Sequence, residues 1–299
     1  MVVLAGGTGG AKLARGMLDI VGGASLTVIA NTGDDIEIYG AYVSPDPDLV
    51  TFWLADRIDE RGWGLAGDTL NVMEGLKRLS VEAWFNLGDE DLAIGLERSR
   101  RLDQGERLTE AHAAIAEALR APGRILPMSD TPVRTHIMAQ DRWWPFQEYM
   151  IRSGGKGPVQ DVDFRGARNA QPTPEIRDAL AKADAIVIGP SNPIISIAPI
   201  LAVPGIREAI IDSEAPAVAV SPFVGGQVIK GPTKAFMEWT GRPLTTDGIA
   251  ESYDQLIDGL IADQRATAVP TLETSVLMDT EDARRRLAED TLRFALALG

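Results

Sequence analysis

The chain begins with a β-branched run, a glycine cluster and a helical pattern, and this order constrains the fold more than any other feature. Residues Met1–Ala5 read as a short strand, Gly6–Gly10 contain four glycines, and the apolar spacing of Ala11–Leu18 predicts a helix. A second apolar strand is predicted at Ser25–Ala30. Two strands joined by a helix form a βαβ unit with parallel strands. We therefore predict an α/β fold with a mostly parallel sheet flanked by helices.

The middle of the chain has a different pattern. It combines helical spacing with three strand-like segments, which are Val133–Met138, Phe146–Ile151 and Val159–Phe164. The α/β pattern then resumes and ends in an amphipathic helix at Glu281–Leu298. We predict one α/β unit over residues 1–299, in which 1–45 and 170–299 form the core and 46–169 form an inserted helical and β subdomain.

Composition excludes several classes of protein. The 299 residues carry 29 Lys and Arg against 43 Asp and Glu, a net charge of −14, so the chain lacks the basic surface that a nucleic-acid partner requires. The absence of cysteine excludes thiolate zinc sites and cysteine nucleophiles. The sequence has neither the pattern of a signal peptide nor an apolar run of membrane-spanning length. We expect a cytoplasmic protein without a membrane partner.

The glycine cluster is a candidate phosphate site. Glycines let a backbone approach a phosphate closely, and the helix that follows directs free N–H groups and its positive end at the anion. The spacing matches neither the dinucleotide fingerprint nor the Walker loop. The alternative is a tight turn between strand and helix. The candidate phosphate-binding residues are Gly6, Gly7, Thr8, Gly9, Gly10 and Lys12.

Acidic residues follow the second strand and recur shortly afterwards. Asn31, Asp34 and Asp35 come at the end of that strand, where open α/β sheets bind ligands. Asp46 and Asp48 alternate with prolines, and two carboxylates on a proline-stiffened loop suit Mg²⁺. We predict Asp46 and Asp48 as metal ligands and catalytic residues. The alternatives are a solvated loop and a helix cap.

Two later segments also carry polar groups. Ser129 and Asp130 lie in a turn-rich segment, and turn chemistry alone can explain them. Ser191 and Asn192 follow an apolar strand between two prolines, which favours a binding role. The two histidines are not paired at a spacing that holds a metal. We expect His112 to be exposed on a polar helix and place His136 within a strand.

These motifs, taken in order, resemble one family, the 2-phospho-L-lactate transferases of coenzyme F420 biosynthesis (the CofD/FbiA group). The resemblance covers most of the chain. The segments that carry it are Gly6–Gly10, Asn31–Asp35, Tyr42–Asp48, Gly62–Gly64 with Asp68 and Thr69, Leu87–Asp89, Leu126–Asp130, Phe146–Glu148, Phe164–Gly166 and Gly189–Pro193 with Ser196 and Ile197.

The resemblance implies a Rossmann-like core, a reaction class and its partners. In this family, a Mg²⁺-dependent enzyme, expected to be a homodimer, transfers a phospho-acid unit from a guanosine diphosphate ester to the 5′-hydroxyl of the deazaflavin Fo and releases GMP. The family match places Asp48 and Asn86 at the Fo site and adds Asp89 to the substrate-binding residues. We expect Asp48→Ala to abolish transfer and to leave the fold intact.

The chain departs from the family pattern at several positions. Archaeal relatives often carry a basic residue where this chain has Asn86, so the acid of the donor stays open between lactyl, enolpyruvyl and glyceryl esters. A non-catalytic regulator of the YvcK type, which binds nucleotide sugars, is the alternative function. An NAD-dependent oxidoreductase is a third possibility, but Lys12 occupies the position of the third glycine of the dinucleotide fingerprint.

Overall fold

The computed structural model describes residues 1–228 and 231–299. Its centre is a sheet of seven strands in which every neighbouring pair is parallel. From one edge to the other, the strands are β14 (Thr271–Glu273), β13 (Gly259–Ala262), β10 (Ala217–Val220), β9 (Ile186–Ile188), β1 (Val2–Ala5), β2 (Thr27–Ala30) and β5 (Arg124–Pro127). The predicted Rossmann-like α/β fold is confirmed.

Strand β1 shows why the central strands are apolar throughout. Successive side chains of a strand point to opposite faces of the sheet. Val2 and Leu4 pack into one hydrophobic core, whereas Val3 and Ala5 pack into a second core on the other face. Because helices cover both faces, neither set of side chains reaches solvent, as is usual for parallel sheets.

Helices cover both faces of the main sheet and also pack against the smaller sheets. They are α1 (Gly7–Val21), α2 (Pro45–Leu54), α3 (Asn71–Arg78), α4 (Asp89–Asp103), α5 (Leu108–Ala118), α6 (Phe146–Ile151), α7 (Pro174–Ala181), α8 (Ala198–Leu201), α9 (Ile206–Ile211), α10 (Thr233–Trp239), α11 (Thr246–Ser252) and α12 (Glu281–Leu298). Helix α1 packs against α2 and α12 on one face of the sheet. None of the helices in the described ranges is long and apolar enough to cross a membrane.

Three small antiparallel sheets surround this centre. The largest places β6 (Arg134–Ala139) between β7 (Arg142–Pro145) and β8 (Asp161–Arg165). Two hairpins form the others, and their strands are β3 (Ile36–Ile38) with β4 (Ala41–Val43) and β11 (Phe223–Val224) with β12 (Gln227–Val228). Ile137 of β6 packs into the same core as Leu4, so the three-stranded sheet rests on one face of the molecule.

Two local predictions were wrong. The segment Phe146–Ile151, predicted as a strand, is helix α6; its buried residues Phe146 and Tyr149 lie three positions apart, which is helical spacing, and Pro145 holds the N-cap at φ −56°. The glycine segment is not a loop throughout, because α1 already begins at Gly7.

Strand β5 bears on the predicted domain division. It lies within 46–169, the range assigned to the insertion, yet it pairs with β2 at the edge of the main sheet. The contact of α2 with α1 likewise joins part of that range to the central layers. The division into core and inserted subdomain stays a prediction, and these two elements belong with the core.

The order of the strands identifies a switch point. From β1 the chain builds β2 and β5 to one side, and it later returns to place β9 on the other side of β1. In open α/β sheets, ligands bind at the carboxyl ends of the strands where the order reverses. Here that crevice lies between the segment after β1, Gly6–Gly10, and the segment after β9, Gly189–Asn192.

Candidate active site

The beginning of α1 packs tightly against the segment after β9. A Cβ atom at Gly9 would lie 2.0 Å from the carbonyl oxygen of Pro190, and one at Gly6 would lie 2.6 Å from the Cβ of Ser196. These glycines are therefore required by close packing. Gly7 differs, because its φ of +64° is left-handed and a Cβ there would meet nothing within 4 Å. The helix start is thus held by packing, with open space beside the Cα of Gly7.

Asp46 connects the first turns of α1 and α2. One carboxylate oxygen accepts a hydrogen bond from the amide of Gly7 at 2.7 Å, and the other accepts one from the side chain of Asn31 at 2.9 Å. Burial raises the pKa of Asp46 to about 6, and these two hydrogen bonds oppose the rise. The amide group of Asn31 is itself oriented, because its oxygen accepts from the amide of Gly33 at 2.8 Å.

Asp34 is the second carboxylate of this region. Burial raises its pKa well above the usual value, and the negative charge of Asp46 raises it further. One of its oxygens is buried and has no hydrogen-bond partner in the described part of the chain. Two interacting buried carboxylates, one with an orphaned oxygen, form a donor set that suits a hard divalent cation.

The protein can supply only part of such a cation site. Within residues 1–228 and 231–299, no group of three or more His, Cys, Asp or Glu residues is placed to hold a metal. Mg²⁺ commonly takes one or two carboxylates and completes its shell with water and substrate phosphates. Asp34 and Asp46 fit that description.

The predicted pair of Asp46 and Asp48 is not brought together. Both lie in the first turn of α2, with Pro45 at the first helical position, and not on a loop. Residues two apart on a helix do not face each other. Asp46 contacts Gly7 and Asn31, whereas Asp48 accepts hydrogen bonds from both terminal nitrogens of Arg98, one of them at 3.2 Å. Asp48 is therefore not a free metal ligand beside Asp46.

Arg98 is a buried residue that the sequence reasoning missed. Its side chain is fully buried, pairs with Asp48 and donates to the carbonyl oxygen of Tyr42 at 2.9 Å. Burial raises the pKa of Asp48, and the charge of Arg98 opposes that rise. A signal was present, since Leu92, Gly95 and Arg98 recur every three residues on the buried face of α4.

His112 is buried, so the prediction that it is exposed was wrong. The hydroxyl of Thr51 donates to the carbonyl of Pro47, so the His112 Nε2 at 3.1 Å donates to that hydroxyl. The other ring nitrogen has no hydrogen-bond partner in the described structure and lies 3.9 Å from Asp48. Burial, assisted by the charge of Arg98, lowers the pKa of His112 to about 3.

Asp35 has partners different from those of Asp34. It accepts hydrogen bonds from the hydroxyls of Tyr42 at 2.9 Å and Ser44 at 2.8 Å, and Arg134 donates to the Tyr42 oxygen at 3.0 Å. Burial raises the pKa of Asp35 to about 7, opposed first by the charge of Arg134. Both oxygens of Asp35 are thus engaged in holding the β3–β4 hairpin to β6.

A cleft of about 170 Å³ opens beside Asp34 and Asp35. It separates the segment after β2 from β6 and the start of α6, and Gln147 closes one side by donating to the carbonyl of Asp34 at 3.1 Å. The residues that line it are Gly33, Asp34, Asp35, Ile36, Glu37, Arg134, Thr135, His136, Pro145, Phe146 and Gln147. The cleft combines apolar rings with both signs of charge.

Unpartnered hydroxyls mark the same edge of the sheet. Buried polar groups are nearly always hydrogen-bonded, so exceptions need an explanation. The hydroxyls of Thr8, Thr32 and Ser191 are buried and have no hydrogen-bond partner among the described residues. Thr8 lies in the first turn of α1, Thr32 follows β2 and Ser191 follows β9. Phosphate oxygens bound at this edge would supply acceptors.

Several predicted binding residues hold local structure. Asp89 accepts from the amides of Asn71 and Val72 at the start of α3. Asp130 accepts from the amide and hydroxyl of Thr109 at the start of α5. These contacts are helix caps.

The remaining predicted residues differ in their surroundings. Asn192 caps the turn after β9 through the amides of Ile194 and Ile195. Ser129 accepts from the amide of Thr131 at 3.0 Å, which is turn chemistry. Asn86 is exposed and makes no side-chain hydrogen bond within the described chain. Lys12 lies with its ammonium 5.7 Å from the ring centre of Trp53. Among the described residues, none of Asn192, Ser129 and Asn86 makes a hydrogen bond to Asp46.

Comparison with known proteins identifies the family. The family model described as 2-phospho-L-lactate transferase CofD matches residues 1–292. The chain belongs to the CofD family. A phosphoenolpyruvate transferase of Kitasatospora aureofaciens is 40% identical, over 96% of this chain and 97% of the relative. A 2-phospho-L-lactate transferase of Methanosarcina mazei is 37% identical, over 90% of this chain and 88% of the relative.

The fold described above also occurs in a solved structure. A protein of the UPF0052 family from Bacillus halodurans superposes with a TM-score of 0.61 and covers 97% of this chain and 98% of its own. Its sequence is 19% identical, so this likeness concerns the fold alone. The resemblance seen in the sequence is confirmed, and the protein is a transferase of the 2-phospho-L-lactate and phosphoenolpyruvate transferase type.

Proposed function

We propose that the protein transfers a phospho-acid unit from a guanosine diphosphate ester to the 5′-hydroxyl of the deazaflavin Fo, releases GMP and depends on Mg²⁺. The observation that carries the proposal is the buried pair of Asp34 and Asp46 beside the open start of α1 at Gly7. Membership of the CofD family supports the same reaction class. A cytoplasmic location and a homodimer are part of the same proposal and stay predictions from the resemblance.

Transfer between two phosphate esters needs neutralised charge and in-line positioning more than covalent help. The start of α1 offers its positive end and the Thr8 hydroxyl to the diphosphate, and Ser191 adds a second hydroxyl from β9. Mg²⁺ held by Asp34 and Asp46 would offset the negative charge of the phosphates. The overall charge of −14 makes such local compensation necessary.

The cleft beside Asp34 is the proposed site of the acceptor. Phe146 and Pro145 provide apolar surface for a flat ring, and Arg134 and Gln147 provide hydrogen-bond donors. The acid of the donor stays open, because the relatives are named for both phosphoenolpyruvate and 2-phospho-L-lactate. A glyceryl ester is the third candidate.

A transfer assay tests the proposal. Purified protein, Fo and Mg²⁺ are incubated with the lactyl, enolpyruvyl or glyceryl ester of guanosine diphosphate, and mass spectrometry detects the phospho-acid adduct of Fo and GMP. We expect an adduct from one donor that disappears with a chelator and returns with added Mg²⁺. Folded protein that forms no adduct from any donor contradicts the proposal, and binding of a UDP-sugar without binding of Fo would favour the nucleotide-sugar regulator.

A further inference from the structure

His136 lies on the wall of the cleft, and the alternation of β6 determines which way it faces. Val133, Thr135, Ile137 and Ala139 are buried, whereas the intervening residues Arg134, His136 and Met138 are only partly buried. His136 is therefore on the partly exposed side of β6. It is one of the residues that line the cleft with Asp34 and Asp35.

A hydrogen bond fixes the tautomer of His136. Its Nδ1 lies 3.2 Å from the carbonyl oxygen of Arg134. A carbonyl oxygen only accepts hydrogen bonds, so Nδ1 carries the proton and Nε2 of the neutral ring keeps a free lone pair. Nε2 makes no hydrogen bond to any residue that the structure describes. Partial burial lowers the pKa of His136, which keeps the ring neutral at neutral pH.

Three of the other acids around the site are already hydrogen-bonded or ion-paired. Asp46 accepts from Gly7 and Asn31, Asp35 accepts from two hydroxyls, and Asp48 is paired with Arg98. Asp34 has an unpartnered oxygen, but the negative charge of Asp46 acts on its carboxyl group, and such a pair suits a cation. Among the described residues of the cleft wall, the lone pair of His136 and the exposed carboxylate of Glu37 are uncommitted, and of these two His136 is oriented by a hydrogen bond.

The charges around His136 come from three directions. Asp163 and Arg165 approach from β8, and Arg134 belongs to β6 itself. Across the cleft are Asp34, Asp35 and Glu37. Strand β7 and helix α6 contribute uncharged residues to the lining, which are Pro145, Phe146 and Gln147. Asp163 stabilises the imidazolium that forms when the ring accepts a proton, whereas the charges of Arg165 and Arg134 oppose it.

We propose that His136 Nε2 is the general base that takes the proton of the acceptor hydroxyl, an inference that rests on the proposed function. The hydroxyl oxygen forms a bond to the phosphorus that carries the acid, and the bond from that phosphorus to the oxygen of GMP breaks. GMP leaves with the electron pair of that bond. The proton on Nε2 then passes to solvent, so charge and atoms balance.

The tautomer is tested without turnover. Because the chain has two histidines, ¹⁵N-histidine labelling gives two imidazole rings, and the spectrum of His136→Asn assigns them. We expect the His136 ring at pH 7.5 to carry its proton on Nδ1. A proton on Nε2 would leave no lone pair toward the cleft and would overturn the proposal whatever the outcome of the assay.

The catalytic role is tested with a variant that separates the two ring nitrogens. The amide nitrogen of Asn in His136→Asn can still donate to the Arg134 carbonyl, but the Nε2 acceptor is lost. General bases contribute on the order of 10²–10⁴-fold, so we expect kcat to fall by about 100-fold or more with an unchanged melting temperature. Met138→Leu, on the same side of β6, is the matched control and should keep the wild-type kcat.

The pH profile provides the deciding readout. Wild-type kcat/KM should decline on the acidic side as His136 becomes protonated below its lowered pKa, and this limb should be missing in His136→Asn. A kcat for His136→Asn within about threefold of wild type, or an unchanged acidic limb, overturns the role of His136 alone. Failure of the wild-type protein to transfer to Fo contradicts the proposed function itself, so the two failures are distinct.

Discussion

Asp48 and Arg98, fifty positions apart, form a buried ion pair in which both terminal nitrogens of the arginine donate to the carboxylate. The pair joins the first turn of α2 to the middle of α4. Because α2 also presents Asp46 to Gly7, the Asp48–Arg98 pair helps to fix the turn that carries the candidate metal ligand. Because both oxygens of Asp48 accept from Arg98, this carboxylate has little freedom to bind a substrate directly.

We expect Arg98→Met to destabilise the protein by about 3 kcal/mol or more, since it leaves the Asp48 carboxylate buried and uncompensated. Asp48→Ala should destabilise as well, which differs from the expectation drawn from the sequence that the fold stays intact. The double variant Arg98→Met with Asp48→Leu should recover much of the loss. Urea unfolding of the wild type, the two single variants and the double variant measures these differences. If either single variant were as stable as the wild type, the pairing would be contradicted.

Asp34→Asn and Asp46→Asn are expected to weaken Mg²⁺ dependence of transfer. Each change removes one negative charge from the pair, so the Mg²⁺ concentration for half-maximal turnover should rise by about tenfold or more. Asp130→Asn is the control, because Asp130 was also a candidate from sequence but caps α5. Equal Mg²⁺ requirements in all three variants would exclude Asp34 and Asp46 as ligands.

Substitution by alanine should have different effects at Gly7 and at Gly9. Gly9→Ala would place a methyl group 2.0 Å from the Pro190 carbonyl oxygen, so we expect a loss of soluble, folded protein. Gly7→Ala meets open space and suffers only left-handed backbone strain, about 1–2 kcal/mol. Melting temperatures of both variants test this. If Gly9→Ala melts like Gly7→Ala, close packing is not what requires glycine at position 9.

Acid should destabilise the protein through His112. Its pKa is lowered to about 3 in the folded state, so the unfolded chain binds the proton first as pH falls below about 6.5. The contribution of the neutral His112 ring to the free energy of unfolding is complete above that pH. It declines below that pH and is smaller by about 2 kcal/mol at pH 5. Urea unfolding at pH 7 and pH 5 should show a smaller decline for His112→Gln than for wild type. An equal decline in both proteins would mean that His112 does not titrate this way.

The main sheet could be predicted because the sequence pattern that indicates it lies within a short stretch of chain. The apolar run Met1–Ala5, the glycines after it and the second strand identify a βαβ unit without reference to distant residues. Helix α12 was predicted with its observed bounds, Glu281–Leu298, for the same reason. Segment Phe146–Ile151 was misassigned because six residues with apolar ends fit either period, and only the tertiary contacts of Phe146 and Tyr149 decide between them.

The site was harder to predict because carboxylates of equal appearance have different partners. Asp46 and Asp48 differ by two positions, yet one meets the amide of Gly7 and the other meets Arg98. Nothing in their immediate sequence distinguishes them, since each partner comes from a distant segment. Asp130 likewise looks like a site residue until its contact with Thr109 shows that it caps a helix.

The central place of β1 sets an order on the synthesis of this protein. β2, which pairs with one side of β1, emerges from the ribosome soon after it. The strand that pairs with the other side of β1 is β9, which begins only at Ile186. At about 5–20 residues per second, the nascent chain waits about 10–40 s before that edge of β1 can pair. Throughout this interval, an apolar strand exposes its unpaired backbone to other chains, so the earliest residues made are among the last to be enclosed.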